Sequence, residues 1–253
     1  MNIIFIAMLF VAFVISISIH ESAHALVALL LGDDGPRNDG RLSLNPLNQM
    51  APMGGMVALV LAFLSALPLG WGKPVRFDAL KLRLGPNVGM ILVALAGPLS
   101  NLLLGLGCGF ALQAIPQAHF TEVISTCLQG AQGLQCAAGP LPWWALRGEQ
   151  LLFAFMLVNI GLSLFHLIPL YPLDGYKIVF ALLPSRQAVG FRRAEPYMEL
   201  ILLAVIFLLP MLINLTGNAE LQVITPTYWI FRGVDAISSS VVSPFYLVIF
   251  PLI

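Results

Sequence analysis

Charge is what this sequence has least of. Twelve basic and twelve acidic residues leave 9% of the 253-residue chain charged, against roughly 25% in an ordinary soluble domain. The formal net charge is zero and no basic tract occurs, so nothing in it points to nucleic acid. Cysteine is scarcer still, and three residues cannot build a disulfide framework. Cys127 and Cys136 share one segment and admit a single bridge under oxidising conditions, while Cys108 lies in an apolar run as a small packing residue. A basic N-terminal start is also missing. The first apolar run is too long for a cleaved signal and carries its own polar cluster, so it is expected to stay in the mature protein.

What the chain has instead is apolar length: 59% of residues are hydrophobic and the mean hydropathy is +0.92. Runs near 2–31, 88–115, 150–184 and 197–215 reach the roughly 20 residues a spanning helix needs, and 52–71 and 226–253 are shorter or weaker. Lipid offers no partner to an open sheet edge, and runs of this length exclude a barrel. The expected fold is an all-α polytopic membrane protein of about five to six transmembrane helices forming a single domain over 1–253. Lys73, Arg76, Lys81 and Arg83 crowd one loop and Lys177, Arg186, Arg192 and Arg193 surround another, which puts both on the cytoplasmic side and 116–149 outside. Trp143, Trp144, Tyr228 and Trp229 read as anchors at the membrane interface.

One stretch breaks the apolar pattern. "SISIHESAHALVALLLG", 16–32, places His20, Glu21 and His24 inside the first run. On a helix, histidines at i and i+4 lie one turn apart on one face, so both rings reach one metal ion while the glutamate addresses its water. Polar contacts between packed helices are the bland alternative, but ionisable groups in lipid cost about 2.5–3.5 kcal/mol and mark functional sites. Catalytic zinc takes three protein ligands, so a third is required.

"FHLIPLYPLDGYK", 165–177, offers Asp174 after the Pro169 and Pro172 breaks; the same Asp also suits a helix cap. His166 is a competing ligand. It shares a face with Asn159 and Ser163, a polar stripe that equally suits interhelical hydrogen bonding, and a role beside the metal or in substrate positioning is favoured for it.

"HESAH" at 20–24, "AGPLSN" at 96–101 and "FHLIPLYPLDG" at 165–175 together resemble, in order, the site-2 protease family of intramembrane zinc metalloproteases, peptidase family M50. "GRLSLNPL" at 40–47 and "GWGKPVRF" at 70–77 resemble its compact bacterial and archaeal branch, without PDZ or CBS domains. The resemblance implies one zinc per chain held by His20, His24 and Asp174, Glu21 as general base, and Asn101 as a packing residue of the core spans. It implies a single-span membrane protein as substrate and a multi-pass place in the cell membrane, the inner membrane of a prokaryote.

Two departures stand out. His166 occupies the position where the family usually has an Asn that holds substrate, and "NQMAP", 48–52, replaces a His-Ile-Asp-Pro run.

If 52–71 crossed the membrane, His20 and Asp174 would approach from opposite sides. A re-entrant segment restores agreement, and Gly54, Gly55 and Pro68 suit an irregular path. "GRLSLNPL" alternates enough for a short strand that could pair with extended substrate, and could equally be a polar loop. A membrane metal carrier or permease would also bury His and Asp, though no paired internal repeat is visible. A catalytically inactive membrane adaptor would be expected to lose Glu21 or a ligand, and all are present.

Overall fold

The computed structural model describes residues 3–64, 67–114, 143–217 and 219–241, with the side chains of 143–147 and 219 excepted. Among them it is helical, with no strand and one isolated antiparallel bridge between Met50 and Gly72. We number eight helices: α1 Ile3–Leu30, α2 Pro52–Phe63, α3 Pro86–Gln113, α4 Trp143–His166, α5 Asp174–Leu182, α6 Ser185–Arg193, α7 Glu195–Thr216 and α8 Pro226–Val241. Four described helical stretches are long and apolar enough to cross a membrane: α1, α3, Gly148–His166 of α4, and α7. The molecule is thus an all-α polytopic membrane protein. Cys127 and Cys136 lie outside the described residues, as do the side chains of Trp143 and Trp144 and the residues after 241; Cys108 carries a free thiol.

Helices α1, α3 and α4 form the centre, and one buried cluster runs from Leu9, Phe13 and Ile17 of α1 through Met156, Ile160 and Phe165 of α4 to Val241 of α8. Their close approach is set by small residues. Along α3, Gly97, Asn101, Gly105 and Gly109 recur every fourth residue and share one buried face. A Cβ at Gly105 would stand 2.9 Å from Ile160 Cγ1, and one at Gly109 would stand 2.7 Å from Val241 Cγ1. Lipid tails are as apolar as Leu, so packing of this kind, and not hydrophobicity, draws spans together. Gly85, at φ +83, turns the chain in the left-handed region open to glycine, and Pro86 then starts α3 where its missing N–H is harmless.

The segment 52–71 leaves and returns to one point. Its flanks meet at the Met50–Gly72 bridge, where Lys73 N donates to the Gln49 carbonyl at 2.6 Å. With 12 residues, α2 is only about 18 Å long, short of a bilayer core. The return limb packs on it so tightly that a Cβ at Gly54 would stand 2.7 Å from Trp71 N. Leu67, Leu69 and Trp71 are buried in the main core, so the irregular backbone is covered by protein, as an apolar surrounding requires.

Of the two readings of "GRLSLNPL", strand or loop, the structure has the loop: residues 39–42 form turns, and Pro46–Gln49 is a helical turn capped by Asn45, whose side chain accepts from Leu47 N at 3.1 Å. Pro46 has no N–H for a ladder, and the Asn45 oxygen offers the backbone a local partner instead. The run 150–184 is likewise two helices. α4 ends at His166, before Pro169 and Pro172, and α5 begins at Asp174.

Candidate metal centre

The site forms where α1, α3 and the start of α5 meet. His20 and His24, one turn apart on α1, present both Nε2 atoms toward α3 and α5, 3.0 Å from each other. Asp174 Oδ2 lies 2.9 Å from His20 Nε2 and 3.1 Å from His24 Nε2, and all three residues are buried. Among the described residues no other group of three or more His, Cys, Asp or Glu places its ligand atoms within 4.8 Å of one another.

His24 Nδ1 donates to the Val93 carbonyl of α3 at 2.6 Å. In a neutral ring that leaves a lone pair on Nε2, and this lone pair faces a carboxylate oxygen that accepts only. A second proton on the ring or a metal ion between them resolves the conflict. Atoms bound to zinc at 2.0–2.1 Å stand roughly 3.3 Å apart in a tetrahedron, so the 2.9–3.1 Å triangle takes the ion with small outward shifts. The bond from His24 to a main-chain carbonyl is the usual device that fixes a ligand histidine's tautomer.

Asp174 reaches the histidines because α4 stops short and the chain folds back. A Cβ at Gly175 would stand 2.6 Å from the carbonyl carbon of Ile168, so the turn closes only on glycine. Asp174 is the first residue of α5 and its side chain makes no capping bond. Its second oxygen accepts from Lys177 Nζ at 2.9 Å, one turn on, which leaves Oδ2 to the histidines. Helix α5 is anchored by Tyr176, whose ring stacks on Phe191 of α6 at 4.9 Å and whose hydroxyl donates to Glu195 at the start of α7. Burial and that carboxylate acceptor push the Tyr176 phenol above its usual range.

The sequence of the chain matches that of peptidase family M50 over residues 48–209, nearly two thirds of its length and including Asp174. The chain belongs to that family. It is 32% identical over 203 residues, 80% of this chain and 81% of the other, to the Bacillus subtilis (strain 168) protein named "Putative zinc metalloprotease YwhC". No solved structure matches it. The M50 protein is therefore a zinc metalloendopeptidase, and zinc is its cofactor.

Around the triangle of this M50 protease stand the other residues singled out from sequence. Glu21 is buried, with Oε1 pressed against Gly72, where any Cβ would collide with it. The His166 ring lies 4.2 Å from that of His20, outside the ligand triangle, and Nδ1 donates to the Leu162 carbonyl at 3.0 Å. Its buried Nε2 meets no partner among the described residues. Asn159 Nδ2 donates to Ser16 Oγ at 2.7 Å and to the Phe155 carbonyl, tying α4 to α1 one turn before His20. Asn101 is fully buried in the small-residue face of α3, one turn from Gly97.

Sequence reasoning missed three groups. Gly97 presses on both histidines, and a Cβ there would stand 2.5 Å from His20 Cε1. Lys177 carried a signal, its i+3 spacing from a buried acid. Arg41, buried in a chain so poor in charge, carried another.

Proposed function

We propose that His20, His24 and Asp174 hold the zinc, that Glu21 is the general base, and that the protease cuts peptide bonds in or near transmembrane segments of membrane-protein substrates. One observation carries this reading: three ligand atoms about 3 Å apart, fully buried, with a carboxylate beside them, all in or next to a membrane-length helix. A group that must work on soluble chains needs no such depth, whereas a scissile bond held in lipid does.

Zinc, when bound, supplies a Lewis acid for the scissile carbonyl and lowers the pKa of its water toward about 7. Glu21 takes the proton from the attacking water and passes it to the leaving amine. Gly72 leaves room for the Glu21 carboxylate to reach this position. His24, fixed by the Val93 carbonyl, and Asp174, fixed by Lys177, keep their donor atoms aimed without rearrangement during the reaction. His166, with Nδ1 spent on Leu162, offers an acceptor at Nε2 to water or to a substrate N–H, where the family's usual Asn also offers a donor. Asn159 ties α4 to α1 through Ser16, and Asn101 is a small buried residue in the packing face of α3.

The single domain covers the described helices. The basic loops 73–83 and 177–193 face the cytoplasm, and the site lies nearer that side, as the C-terminal placing of His20 in α1 and of Asp174 after α4 supports.

The test is zinc per purified chain in detergent, by elemental analysis, with cleavage of a single-span protein reconstituted in vesicles. Wild type should hold about one zinc and cleave within the span. Asp174→Ala should lose both metal and activity, and Glu21→Gln should keep zinc and lose cleavage. A zinc-free wild type after reconstitution, or zinc lost only in His166→Ala, overturns the ligand set. Cleavage confined to soluble loops overturns the substrate class.

A further inference from the structure

We propose that Arg41 is the positioning residue for Glu21: it joins the base to the paired ends of the re-entrant segment and so keeps the base in place. The proposal rests on the reading of Glu21 as general base. Arg41 lies in the turn that follows the short helix Gly35–Asn38, and its side chain is buried. One guanidinium nitrogen donates to the Asn48 carbonyl and the other to the Lys73 carbonyl, on the two sides of the Met50–Gly72 bridge. The second nitrogen also stands 3.7 Å from Glu21 Oε2, an oxygen with no hydrogen-bond partner among the described residues.

The arginine is itself held in return. Gln49 Nε2, at the bridge, donates to the Arg41 carbonyl at 2.8 Å and to the Ser43 carbonyl at 2.6 Å. It also lies 3.2 Å from Ser22 Oγ, on the residue after Glu21. Side chain and main chain of Arg41 are thus fixed by three neighbours of the bridge, Asn48, Lys73 and Gln49, and a Cβ at Gly72, across that bridge, would collide with the other oxygen of Glu21. Glu21 has the space of the absent Gly72 side chain on the side of Oε1 and the guanidinium at ion-pair distance on the side of Oε2. A planar fork donates to two carbonyls in fixed directions while its charge stands beside a carboxylate, a fixed geometry that lysine's rotating ammonium lacks. An isolated buried carboxylate would have no such fixed direction.

The experiment uses the full chain, zinc-loaded in detergent, with a fluorogenic apolar decapeptide as probe. Arg41→Met should lower kcat about 100-fold, the scale of a base misplaced by roughly 1 Å, with KM within about twofold and zinc near one per chain. Arg41→Lys, which keeps the charge and one donor direction, should recover about tenfold of that loss. A parallel readout needs no turnover: Arg41→Met should lower Tm in the wild-type background and much less in Glu21→Ala, because the two side chains are coupled. Additive Tm losses, or a raised KM with kcat unchanged, would show that Arg41 only braces the loop and would overturn the proposal. A wild type that binds zinc and cleaves nothing would instead defeat the functional reading, while the Tm cycle still decides whether Arg41 and Glu21 act together.

Discussion

Helices α3 and α7 are both apolar and long enough to span a membrane, yet they do opposite things. α7 turns Tyr197, Leu200, Ile201, Leu208, Met211, Leu212 and Leu215 outward and keeps few residues inside. α3 turns inward a face of Gly97, Asn101, Gly105 and Gly109, and along it lie both histidines, Asn159 and Val241. The difference is one of size and polarity. In a solvent as apolar as the side chains, large hydrophobic residues have no preference for the interior, and small residues that let backbones approach decide which helix is central.

The comparison breaks first at the metal. Chelation should abolish peptidase activity, and zinc should restore it; with free zinc at about 100 times its Kd, the metal should also stabilise the fold by about 2.7 kcal/mol, read as a Tm difference between apo and loaded protein. A fold equally stable without zinc would mean that the α3 face packs around the histidines unaided.

Gly97→Ala comes next. Its Cβ would press on both histidines, and zinc affinity should fall about 10- to 100-fold in a chelator competition. Gly107→Ala, on the open side of the same helix with nothing within 4 Å, is the control and should change nothing. Equal effects would refute the idea that one face of α3 is specialised.

Gly105→Leu should destabilise by about 1–3 kcal/mol through overpacking against Ile160, measured by thermal unfolding in detergent. Asn159→Ala removes the bond to Ser16 and should cost about 0.6 kcal/mol, with a similar loss in Ser16→Ala and none added in the double variant. Smallest of all, Leu212→Ala on the exposed face of α7 should stay within about 0.5 kcal/mol. A larger loss there would mean that α7 also packs against a partner.

Much of the centre was legible in the chain because its signals are local. His20 and His24 are one turn apart on one helix, and Glu21 sits between them, so spacing alone predicts their common face. Asp174 was harder. By its own surroundings it is as good a helix cap as a ligand, and what sets it beside His20 is a contact spanning 154 positions. Strand and loop stayed open in "GRLSLNPL" for a related reason: alternation suggests a pleated surface, but Asn45 and Pro46 close a local turn before any ladder can form.

By itself the sequence determined the helices, their membrane length and the residue types of the metal centre, because apolar runs and one-turn spacing act over a few residues. Only the tertiary structure decided that 52–71 returns to its starting point, that Gly97 and Gly72 leave room for the histidines and for Glu21, and that Arg41 turns inward. These depend on which backbones touch. In an apolar solvent that is decided by close packing and a few buried polar contacts between distant parts of the chain, which no local pattern records.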